Sequence, residues 1–137
     1  MKTQNQNLKT RHRRRGSLTM ELVLVLPILM LILMGMFEFS FLFLAQGKVE
    51  DAAHAGARLA TLHGVYEGDV IAAVHRSLTP RLRSNAKVYA RMGEHSGDEI
   101  VVTVEIPSSD ASPDLLWAIG YSLKGKTIVA ETHMTKE

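Results

Sequence analysis

From Leu22 to Ala45 the chain is an almost unbroken apolar run in which Glu38 is the one charged residue and Ser40 adds the only further polarity. As a helix, a run of this length covers roughly 36 Å, enough for a hydrocarbon core of about 30 Å. In lipid a lone strand leaves its backbone hydrogen bonds unmade, so the run is expected to be helical. Everything else in the chain has to be arranged around this segment.

Charge sets the direction of the helix. Residues 1–20 hold six basic residues (Lys2, Lys9, Arg11, Arg13, Arg14 and Arg15) and no acidic one, whereas residues 46–137 hold ten basic against twelve acidic residues. The positive-inside bias therefore keeps the N-terminus in the cytoplasm and puts residues from about 46 onward outside. The overall pI of about 9.0 belongs to the basic arm, so no nucleic-acid-binding fold is implied. The absence of cysteine excludes disulfides and thiolate metal sites. An ordinary cleaved secretory signal does not fit, because the apolar run exceeds the usual ~7–15 residues and Phe43 stands where a small residue is needed.

The junction of arm and helix reads Arg13-Arg14-Arg15-Gly16-Ser17-Leu18-Thr19-Met20-Glu21. A carboxylate at the head of a membrane helix either sits among headgroups, favoured by the positive end of the helix dipole, or needs a partner. Later come Leu26-Pro27, Gly35-Met36-Phe37-Glu38-Phe39 and the small-residue stretch Ala55-Gly56-Ala57-Arg58. With these blocks, Arg13 to Gly64 resembles the TadE-like family, minor pseudopilins of the Tad (Flp, tight-adherence) pilus system, and its front end resembles a class III, prepilin-type signal peptide. The resemblance implies that a prepilin peptidase cuts after Gly16 on the cytoplasmic side and frees the amine of Ser17. Glu21 would then be the fifth residue of the mature chain and neutralise the N-terminal amine of a neighbouring subunit, two charges that attract strongly where the dielectric is low. Leu22 stands where Flp major pilins usually carry tyrosine, which favours the pseudopilin branch. The implied partners are the peptidase, other pilins or pseudopilins and the inner-membrane platform proteins of the Tad machinery. The implied location is the bacterial inner membrane, crossed once, with entry into a pilus as a further step. No cofactor, metal or nucleic acid is expected.

Within the helix, Pro27 reads as a tolerated kink. Glu38 reads either as a contact with another subunit or the platform, or as a side chain reaching for the outer headgroups. Gly35 lies one turn before it and would let another helix come close. Glu21 and Glu38 are about 100° apart around the helix, so one partner would not meet both.

Past the membrane, helical spacing continues through Val49, Ala52, Gly56, Leu59 and Ala60, with Gly64 expected to end the helix. Asp69 is expected to cap a short helix through Leu78, and Ser112-Pro113 to start another containing Trp117. Alternation over Lys87–Met92 and Glu99–Ile106, with the turn Gly93–Asp98 between, predicts a hairpin, and Lys126–Met134 reads as a third strand. The expected fold is α+β and pilin-like: a leader over 1–16, a transmembrane helix over 17–45, its external extension over 46–64, and a head over 65–137 with three antiparallel strands and short helices. The six histidines (His12, His54, His63, His75, His95 and His133) show no two-His metal pattern, and no nucleophile elbow or phosphate loop occurs. A structural subunit is thus expected rather than an enzyme. The competing readings are an unprocessed signal-anchored envelope protein with an external ligand- or partner-binding domain, and a tethered hydrolase with an unrecognised site.

Overall fold

A computed structural model describes residues 13–137, with side chains from Leu18 onward. The basic arm up to His12 lies outside the described residues. Helix α1 runs from Arg13 to Ala60, 48 residues without a break, and contains Pro27. At 1.5 Å per residue it is roughly 72 Å long. Its two halves differ in surroundings. From Leu18 to Met34 every residue is exposed, leaving an apolar rod with nothing packed on it. From Glu38 onward one stripe is buried, through Ala45, Val49, Ala52, Ala53, Gly56, Ala57 and Ala60. Recurrence every three or four residues is what one helix face requires. Because the stripe is built of small side chains, the head packs close to the helix axis. At Gly56 even an added Cβ would stand 2.6 Å from Val74 Cγ2.

The head wraps this stripe with α2 (Glu67–Ser77), α3 (Pro80–Arg83), β1 (Lys87–Arg91), β2 (Glu99–Pro107), α4 (Ser108–Ala111), a 3₁₀ helix (Leu115–Ile119) and β3 (Thr127–Thr135). The strands form one antiparallel sheet in the order β1-β2-β3. Register follows the alternation: Val88 faces Val104 across the first pair, and Val104 faces Ala130 and Ile106 faces Ile128 across the second. Ile100, Val102, Val104 and Ile106 have no exposed surface and meet Val70 and Val74 of α2 and the α1 stripe in one core. The α+β architecture, the hairpin and the third strand are as the sequence predicts.

Three local expectations are corrected. Helix α1 stops at Ala60, not at Gly64; Thr61 and Leu62 still donate backward to Ala57 and Leu59, and Gly64 follows at φ 78, a left-handed position suited to glycine. Asp69 is not the N-cap of α2 but its third residue, from which Oδ2 accepts the Tyr66 N–H at 3.1 Å. A carboxylate there closes the cap from inside the first turn. The segment after Ser112-Pro113 is a 3₁₀ turn that starts at Leu115, because Asp114 adopts a left-handed φ of 55° and delays it.

Candidate functional site

The sequence singles out positions along α1, and the structure separates them into two groups. Gly16 and Ser17 lie in the first turns of the helix. Helix ends lack four intrahelical acceptors for their N–H groups and fray readily, which is where a backbone can be opened for cleavage. Glu21 is exposed, and its carboxylate makes no ion pair among the described residues. Around it Leu18, Met20, Leu22 and Val23 are also exposed, so any partner for that carboxylate must come from outside this part of the chain.

Gly35 and Glu38 belong to the other end of the apolar half. A Cβ added at Gly35 would meet nothing within 4 Å, so this small position is unused within the chain. Glu38 is completely buried. Its Oε2 accepts the backbone N–H of Leu116 at 2.9 Å, supplying one of the acceptors that the start of the 3₁₀ helix lacks. Its Oε1 has no hydrogen-bond partner among the described residues. The carboxylate reaches neither toward headgroups nor outward to another subunit; Glu38 is a tie between the apolar helix and its own head.

That tie is reinforced by a small cluster absent from the sequence reading. Phe39 leans on Tyr121 with ring centroids 6.4 Å apart, and Lys126 Nζ sits 3.7 Å above the same Tyr121 ring. Asp114 closes the base of the segment, accepting the Ser122 hydroxyl at 3.0 Å and the Leu123 N–H at 3.1 Å. The Ser112-Pro113-Asp114 sequence carries turn chemistry, but nothing in it pairs these residues with position 38.

Elsewhere the polar groups serve the scaffold. Asp98 Oδ2 accepts the N–H groups of Glu94 and His95 at 3.0 and 2.8 Å, and these bonds, His95 first, hold its carboxyl below the usual 3.8. On the outer sheet face His133 lies between Glu99, 2.8 Å from Nδ1, and Glu131, 2.7 Å from Nε2. Those bonds, Glu99 first, raise the imidazole above its ordinary 6.5. The two carboxylates bracket opposite ring nitrogens and do not converge on a common point, and no metal-binding group forms among the described residues. His54 is exposed on α1, its Nδ1 2.9 Å from the Glu50 carbonyl. A cleft between α1, α3 and α4, lined by Phe41, Leu44, Lys48, Arg81, Leu82 and Asp110 among others, holds no nucleophile–base pair.

Residues 16–58 match the family model described as TadE-like protein. The match begins at the glycine of the arm–helix junction and ends two residues short of the end of α1, leaving the sheet and the other helices beyond it. No curated protein and no solved structure matches the chain.

Proposed function

We propose, from the premise that residues 16–58 form a TadE-like segment tied to the Tad pilus system, that this chain is a minor pseudopilin-like subunit required to build that pilus. Prepilin peptidase removes residues 1–16, and the new Ser17 amine and Glu21 then enter the helix bundle of the assembling pilus. The chain acts as a protease substrate and a structural partner, not as an enzyme, and other pilins and the inner-membrane platform proteins are its neighbours. One observation carries the reading: the TadE-like match covers a helix whose first half is bare, mostly apolar surface while its second half buries one stripe against the head.

Bare apolar surface of that extent needs either lipid or other helices around it. In lipid the span satisfies its own backbone. In a helix bundle, the exposed Glu21 is costly unless it meets a cation, and the Ser17 amine of a neighbour is the cation that cleavage creates. The test is intact-mass analysis of the protein from its own host, with and without substitution of Gly16. Wild-type chain beginning at Ser17, and uncut chain after Gly16→Val, is the expected result. Wild-type chain that still carries residues 1–16 while the pilus machinery is working sinks the proposal and leaves the unprocessed anchored protein in its place.

A further inference from the structure

The segment 114–123 between α4 and β3 is a closed loop. Asp114 ties its two ends together, Glu38 accepts Leu116 N–H, and Gly120, at φ 87, donates to the carbonyls of Leu116 and Trp117. Leu116 turns into the head, yet Trp117 and Ile119 point outward, 71% and 57% exposed, with Ala118 exposed between them. Large apolar side chains displayed together on a braced loop mark a contact surface.

The place of this loop identifies the contact. Its hydrogen bond to Glu38 and ring contact with Phe39 fix it at one level of α1. From Leu18 to Phe37 the helix covers roughly 30 Å, the thickness of a hydrocarbon core. Counted from Leu18, the outer edge of a bilayer spanned by this helix falls next to Glu38 and so at the level of the loop, with Met36 and Phe37 exposed on the helix just below. Indole is the side chain best suited to that depth, with an apolar body and one N–H for the wet side. Lys124 and Lys126 follow just after the loop, both exposed and the latter over the Tyr121 ring, as cations suited to lipid phosphates.

We infer that the 114–123 loop is a footing on the phospholipid bilayer: Trp117 and Ile119 enter the headgroup–acyl boundary of the outer leaflet, and the spanning segment is 18–37 rather than 17–45. The occupant of this surface is the bilayer that α1 itself crosses, so the inference rests on the membrane-spanning reading of α1. An apolar face in this position is buried to about 5–10 Å.

Trp117 is the one tryptophan of the chain, so intrinsic fluorescence reports it without a label. The full chain is placed in nanodiscs of phosphatidylethanolamine and phosphatidylglycerol, doped with lipid brominated either near the glycerol end or near the methyl end of its acyl chains. The expected result is blue-shifted emission, a several-fold loss of iodide quenching relative to free tryptophan, and stronger quenching by the shallow bromines than by the deep ones. Full iodide access without bromine quenching overturns the footing, as does iodide protection without bromine quenching, which means that protein covers Trp117. Alkaline extraction of parallel proteoliposomes separates the two claims. A chain that resists extraction while Trp117 ignores bromine fails the footing alone, whereas an extracted chain fails the membrane span as well.

Discussion

Glu38 can be fully buried in part because Leu116 offers it a backbone N–H, and the same bond satisfies a donor that the 3₁₀ turn would otherwise leave unpaired. Replacing it with alanine strands that donor, at a cost of about 1–3 kcal/mol. Glu38→Ala is therefore expected to lower the thermal midpoint of the full chain in detergent micelles, while Glu38→Gln, which keeps an oxygen in place, lowers it less. His133 makes a pH-dependent contribution of the opposite placement, on the solvated face of the sheet. Its folded value is raised, so the stabilisation is complete below the unfolded value of 6.5 and disappears as pH rises through the higher folded value. An NMR titration should place His133 above 6.5, and Glu99→Gln should move it down. The burial of Glu38 was legible in outline: eighteen residues separate it from Gly56, five turns at 3.6 residues each, so the two share a face. Its charge drew the sequence reading toward membrane partners instead. The identity of its donor was not legible, since no local rule links position 38 to position 116.

Among the elements, the helix–head seam is the least forgiving. Gly56 is enclosed by Val74, Val102 and Val70, so Gly56→Val forces methyl groups into occupied space; overpacking of this kind typically costs about 1–3 kcal/mol. A lowered thermal midpoint, measured on the same micellar chain, is the expected outcome. Gly35 is predicted to behave differently. Open space surrounds it within the chain, so Gly35→Leu should leave the thermal midpoint unchanged and reduce pilus formation, scored by shearing and electron microscopy. Normal piliation in that variant removes Gly35 from the assembly contacts. The strands were readable because Ile100, Val102, Val104 and Ile106 recur at every second position, with only apolar Val101 interrupting the alternation. The 3₁₀ segment was not: Leu115, Leu116, Trp117 and Ile119 read as a short helix begun at Ser112-Pro113, whereas the left-handed Asp114 delays it to a 3₁₀ turn that leaves Trp117 and Ile119 exposed.

For the whole molecule, the division between bare and clothed helix determines what assembly can use. Glu21 lies on the bare half and far from the head, so Glu21→Ala should leave cleavage after Gly16 and the folding of the head intact while reducing pilus formation. Mass analysis reads the first two outcomes through the mature terminus and the yield of folded chain, and microscopy reads the third. Unchanged piliation would remove the proposed charge pair with the Ser17 amine. The two-part layout was visible in the sequence, since the apolar run ends where the charged, small-residue stripe begins. What remained hidden was how far down the head reaches, because that depth is set by Glu38, Phe39 and their tertiary partners rather than by hydropathy.

Between the end held by Leu116 and Tyr121 and the end carrying Glu21, helix α1 runs without a break, and Pro27 is the one position there that lacks a backbone N–H to donate. A shaft of this kind conveys torque: a rotation imposed on its lower portion swings the β-sheet, and a load on the sheet twists the shaft in return, with Pro27 the place where some of the twist is absorbed.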